Sequence, residues 1–135
     1  MYKNILVPVV LDEDHDTKTS YLLAQALAGE GAKFTVVHVM ETIPAYATAQ
    51  IPDEVLASTR DEVADLLVKS AKALPGAETK MLHGHAGRAI VDYADAHGTD
   101  CIIVASHKPG LEDFFIGSTA ARVVRHAKCS VHVIR

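Results

Sequence analysis

The chain has 135 residues, 49% of them hydrophobic, and a formal charge of −4; that length suits one domain with a real core and is short for two. Net acidity opposes binding to a phosphodiester backbone, and 5% aromatic residues with no Trp give little surface for stacking bases, so nucleic acid is set aside as a partner. No apolar run reaches the roughly 18 residues a membrane span needs, and MYKNILVPVV lacks a signal peptide's h-region and cleavage site, so the expected location is the cytoplasm.

Lys3–Val10 (KNILVPVV) is a β-branched run that reads as the first strand. The polar LDEDHDTKTS follows, and its Asp12, Asp14 and Asp16 can cap the next helix. Ser20–Gly29 carries Leu22, Leu23, Ala26 and Leu27 at helical spacing, with Gly29 and Gly31 as the stop. Phe34–Met40 (FTVVHVM) is a second strand, and Thr42–Pro52, with two prolines and several small residues, reads as a loop able to act as a lid.

Asp53–Leu74 is the longest helix: apolar residues recur every three or four positions, acidic residues come early, and Lys69 and Lys72 come late, as the helix dipole favours. Pro75-Gly76 ends it. Glu78–His83 is a partly polar strand that suits a sheet edge, and Gly84-His85-Ala86-Gly87 turns into a helix Arg88–His97 with Ile90, Val91 and Ala94 on its apolar side. His83 and His85 could supply two metal ligands, but spacing identifies no third, so no metal is assigned. Cys101 and Cys129 match no zinc or redox spacing and read as packing residues.

Cys101–Ala105 is an uninterrupted β-branched and apolar run, as in a strand buried on both faces. It stops at Ser106–Gly110, where Lys108 precedes Pro109 and is biased away from helix. A helix with Ala120, Ala121, Val123 and Val124 on its apolar side then starts at Gly117-Ser118, where Ser118 reads as N-cap, and Ser130–Ile134 is a last strand. A helix start presents unpaired N–H groups and positive dipole charge, so a phosphate could lodge between the Ser106–Gly110 loop and Ser118-Thr119; the plainer alternative is an ordinary loop-to-helix cap.

Strand and helix alternate four times before a fifth strand, which implies an open five-stranded parallel sheet with helices on both faces, of the Rossmann or flavodoxin-like kind with order 3-2-1-4-5. The switch point then falls between Val10 and Ala105. The loops after Val7, Val39 and Val104 converge there with Gly117-Ser118, on a site of nucleotide size.

On these residues the chain resembles the universal stress proteins of the UspA type, as one such domain over residues 1–135. ILVPVV is similar to the family's first strand, VVHVM to its second and Gly84–Ala86 to its turn before the third helix. IIVASHKPGLEDFFIGSTAARVVRHAKCSVHVIR is similar to its ATP-binding signature of Gly, two residues, Gly, nine residues, then Gly-Ser or Gly-Thr. The resemblance implies a site for ATP, ADP or AMP, with Mg²⁺ accompanying the nucleotide. Pro8, Val9, Val104 and Ala105 would wall the adenine, the Val39 backbone would bond its edge, and Ser106 and His107 would approach ribose and phosphates. Gly117, Ser118, Thr119 and Ala120 would bind phosphate.

The match departs from the signature: Ala105 replaces the first glycine, Lys108-Pro109 stands at the second with Gly110 beyond, and the loop to Gly117 is one residue shorter. A branch of the family with Ala-Ser-His-Arg-Pro at this place looks closest. Val10 stands where the family usually has an Asp, a loss that Asp12 could offset, and Lys108 could meet phosphate charge. The resemblance also implies a homodimer through Ser130–Arg135, where pairing would cover an apolar edge strand, and nucleotide-dependent contacts with a regulatory partner. No catalytic constellation is visible, since no carboxylate is assignable to orient His107. The alternatives are a nucleotide-free interaction protein and a slow ATPase or autophosphorylating protein with Ser118 or Ser106 as acceptor.

Overall fold

The structure is a computed structural model and describes residues 1–12, 15–106 and 116–135. Its elements run β1 (Tyr2–Pro8), α1 (Lys18–Leu27), β2 (Ala28–Met40), α2 (Ala45–Thr48), α3 (Asp53–Ala71), β3 (Glu78–His83), α4 (Ala86–Ala96), β4 (Cys101–Ala105), α5 (Ser118–His126) and β5 (Ser130–Ile134). All strand pairs are parallel, in the order β3-β2-β1-β4-β5 that the alternation of elements implies.

Alternate residues of the central strands serve opposite faces, because successive side chains of a strand point to opposite sides. Ile5, Val7, Val36 and Ile103 pack with Tyr21 and Ala24 of α1 and Leu67 and Ala71 of α3. Leu6, Val37, Ile102 and Val104 pack on the other side with Ile90, Val91 and Ala94 of α4 and Ala120 and Val123 of α5. Both faces are covered, so the inner strands are continuous apolar runs, whereas β3 at the edge alternates polar and half-buried residues. Cys101 is 1% exposed and burial pushes its thiol up to about 11, as suits a packing residue. Gly87 permits the close approach of α4 to α5, since a Cβ there would stand 2.8 Å from Arg122 Cδ and 2.9 Å from Arg122 Cβ.

Several boundaries differ from the sequence expectation. Helix α1 begins at Lys18, two residues early, because the Asp16 carboxylate accepts from the amides of Lys18 (2.8 Å) and Thr19 (3.4 Å) and from the Thr19 hydroxyl (2.6 Å). It ends at Leu27, and the expected glycine stops lie inside β2, which starts at Ala28 instead of Phe34 and shifts register against β1 between Tyr2 and Asn4. The Thr42–Pro52 loop contains the short helix α2, with Tyr46 83% exposed. β1 ends at Pro8 instead of Val10, and α4 starts two residues early, at Ala86.

The amino ends of β1 and β4 are tied together. The Asp100 carboxylate accepts from the amides of Lys3 (2.8 Å) and Asn4 (3.0 Å), the Asp100 amide donates to Asn4 O (2.9 Å), and Asn4 Nδ2 donates to His97 O (2.8 Å).

Candidate functional site

At the carboxyl ends the same two strands part. β1 and β4 pair only at Ile5↔Cys101 and Leu6↔Ile102. Beyond this, β1 stays with β2 through Pro8↔Val37 and the Val9 N to Val37 O bond (2.8 Å), and β4 stays with β5 through Ala105↔Ile134 and the Ser106 N to Ile134 O bond (2.8 Å). Each strand follows its outer neighbour, because the crossovers from β1 and β4 lead in opposite directions. A cleft of about 920 Å³ opens between them. This is where ligands of doubly wound sheets bind.

Its apolar wall is Pro8, Val9 and Val10 from the end of β1, Val39 from β2, and Val104 and Ala105 from β4. Val9 is 7% exposed and Val10 47%, so Val10 stands at the mouth. Ala86 and Ile90 of α4 extend the wall. His38 also lines it, and because a carbonyl can only accept, the His38 Nδ1 to Val9 O contact (2.9 Å) has the ring donating.

One polar rim is the start of α5. Gly117, in an extended conformation (φ −61, ψ 154), is the N-cap, and Ser118 is the first helical residue, which corrects the reading of Ser118 as cap. The Gly117 amide donates to Ser106 O and its carbonyl accepts from Ala121 N (2.8 Å). No described side chain caps this end, so the amides of Ser118, Thr119 and Ala120 lie at the cleft with the positive end of the helix dipole. Arg135, beyond β5, lines the same rim.

The opposite rim is the start of α1: His15, Asp16, Thr17, Thr19 and Ser20, with Glu41 beyond β2. Asp16 is held below the usual carboxylate range, first by the Thr19 hydroxyl and next by the Lys18 amide, and so carries its charge at neutral pH. Asp12 is engaged by His15 Nδ1 at 2.6 Å.

The cleft thus gathers Pro8, Val9, Val39, Val104, Ala105, Ser106, Gly117, Ser118, Thr119 and Ala120 among the sequence candidates. Ser106 is 2% exposed while Ser118 is exposed, so of the two hydroxyls named as phosphate acceptors only Ser118 is open to solvent. His107, Lys108 and Gly110 lie outside the described residues. None of the Thr42–Pro52 segment lines the cleft; Glu41, just before it, does. Among the described residues no three His, Cys, Asp or Glu side chains gather to hold a metal ion, His83 and His85 included. The α1 rim was legible in principle: helices that follow parallel strands all begin at the sheet's carboxyl end, and the polar run before α1 marks such a start.

Comparison with known proteins agrees with this fold. The model of the universal stress protein family matches residues 1–135. A universal stress protein of Staphylococcus aureus (strain USA300) is 28% identical over 144 residues, covering 99% of this chain and 84% of its own. The solved structure of the universal stress protein UspA from Lactobacillus plantarum is 27% identical with a TM-score of 0.76, over 99% of this chain and 98% of that one. An Arabidopsis thaliana family protein solved with AMP bound shares the fold at a TM-score of 0.63 and 19% identity, over 98% of this chain and 90% of its own.

Proposed function

This chain belongs to the universal stress protein family, and from that premise we propose that it is an adenine-nucleotide-binding module that holds ATP, ADP or AMP in the cleft between β1 and β4. The observation that carries the reading is the α5 start: a helix N-terminus that no described side chain caps, facing an apolar wall across a cleft of about 920 Å³. That wall suits a flat, weakly polar base, and the amide-rich rim suits phosphate. AMP in the Arabidopsis thaliana relative supports this choice of ligand class.

In this reading Pro8, Val9, Val104 and Ala105 wall the base, with the Val39 backbone at its edge, while Ser118, Thr119 and Ala120 take the phosphates. The Ala-Ser-His-Lys-Pro loop contributes Ser106, His107, Lys108 and Gly110 as a variant of the family's glycine-rich loop. Mg²⁺ enters with the phosphates, not on a protein cage. Residues 1–135 act as one cytoplasmic domain in a stress response, and nucleotide occupancy alters the surface offered to a regulatory partner. A second copy covers the outer edge of β5 through Ser130–Arg135, since an unpaired edge strand otherwise presents free N–H and C=O groups. Light scattering on Val133→Pro should then give monomers, and an unchanged dimer mass would reject that interface.

The central test is calorimetric titration of nucleotide-stripped protein with ATP, ADP and AMP, beside Gly117→Val. Every residue tolerates the Gly117 dihedrals, so valine there blocks close approach without straining the backbone. Micromolar binding by wild type, weakened at least about 100-fold in the variant, is expected; each 1.4 kcal/mol is tenfold. No binding by wild type would overturn the reading.

A further inference from the structure

Ser20 is anomalous among the residues of the cleft. It lies in the first turn of α1 and is 4% exposed, yet it lines the cleft. Among the described residues no side-chain oxygen or nitrogen sealed from solvent lacks a hydrogen-bond partner. The Ser20 hydroxyl makes no hydrogen bond to a described residue. Its oxygen is therefore open to solvent, and the space that Ser20 lines is the cleft. A hydroxyl of a nearly buried residue that opens on the cleft without a protein partner is met there by water or by a polar group of a ligand.

The charge around the cleft says what that something is. The α1 rim carries Asp16 and Glu41, which repel phosphate, whereas the α5 rim carries a helix N-terminus and Arg135, which attract it. A nucleotide is oriented by this asymmetry: phosphates go toward α5 and the base lies on the Pro8–Val9 and Val104 wall. What remains to face α1 is the hydroxyl edge of the sugar, a neutral group able both to donate and to accept, as serine is. Val10 at the mouth has no polar atom in its side chain, and Asp12 is already engaged by His15.

We propose that Ser20 is a specificity-determining residue of the cleft, whose side-chain hydroxyl hydrogen-bonds a hydroxyl of the bound nucleotide's sugar. This rests on the nucleotide reading above and adds to it a discrimination between ribonucleotides and their deoxy analogues. A site built to bond a hydroxyl disfavours the ligand that lacks it, because the site's own polar group is then left unpaired.

The test is calorimetry with AMP, 2′-deoxy-AMP and 3′-deoxy-AMP on wild type and Ser20→Ala, with thermal melts to verify folding. Alanine is smaller and a better helix former than serine, so the fold should hold. The expected result is a roughly 3- to 10-fold loss of AMP affinity in Ser20→Ala, the worth of one neutral hydrogen bond. One deoxy analogue should bind wild type and variant equally, because the hydroxyl that Ser20 reads is already missing from it. Unchanged AMP affinity in the variant, or an equal loss for all three ligands, would overturn the proposal while leaving the nucleotide reading intact. If wild type bound none of the three, the nucleotide reading would fail and this assignment with it.

Discussion

At the amino ends of the strands the central pair is tied shut, and at the carboxyl ends the same pair is open. Below, Asp100 reaches back 96 residues in sequence to the amides of Asn4 and, beside it, Lys3. Above, β1 and β4 no longer pair after Leu6↔Ile102, and the chain supplies a cleft edged by two helix starts. The lower end spends its backbone donors on the protein. At the upper end, the donors of α5 are left facing the cleft, and that difference separates a structural closure from a place where a ligand can be held.

The contrast is broken most strongly from below. Asp100→Ala removes a carboxylate that accepts two backbone amides, and losing charge-assisted bonds while leaving one partly buried donor, the Asn4 amide, costs on the order of 1–3 kcal/mol. Urea denaturation should show that loss, while nucleotide affinity stays within about twofold of wild type, since distant independent sites add. A large loss of affinity at full stability would mean that the two ends are coupled. Gly117→Val is the converse: its binding defect should come with a stability loss of no more than about 1 kcal/mol, the cost of valine in place of glycine at an N-cap.

Which parts were legible in the sequence follows from the range of the interactions that make them. The five strands could be read because their side chains face two covered layers and the apolar runs are continuous, as in Cys101–Val104. The parallel order followed from the alternation of elements. The opening between β1 and β4 was read as the switch point between Val10 and Ala105, but how soon the two strands part could not be, because it depends on pairing between segments about a hundred residues apart. Nor could the role of Asp100, which looks like one more polar residue before a strand. At the site, the α5 rim was visible in the Gly117-Ser118 step, but the cap fell on the glycine, because the chain is still extended at that residue. The α1 rim was missed since Asp16 and Ser20 look like ordinary helix-start residues; only their common placement on the cleft distinguishes them. β2 began early because the chain enters the sheet at Ala28, opposite Tyr2, directly from α1, and continues after a register shift that passes Gly31 at φ 74.

The smallest effect expected concerns Asp16, which lies on the open side and whose bonds are spent locally. Its folded-state pKa lies below its ordinary 3.8, first because the Thr19 hydroxyl and then the Lys18 amide favour the charged form. A carboxylate with a depressed folded pKa stabilises the fold fully above its unfolded value, and that contribution is lost as pH falls through the folded value. Asp16→Asn should therefore flatten part of the acid limb of the stability profile below about pH 4, leaving the neutral limb with only the weaker cap that asparagine still provides. Because Asp16 is fully exposed, the change should be modest and screened by salt. Denaturation midpoints followed from neutral to acid pH for both proteins measure it. An identical acid slope in the two would show that α1 starts where it does without help from this charge, and the open end would then owe its shape to the sheet alone.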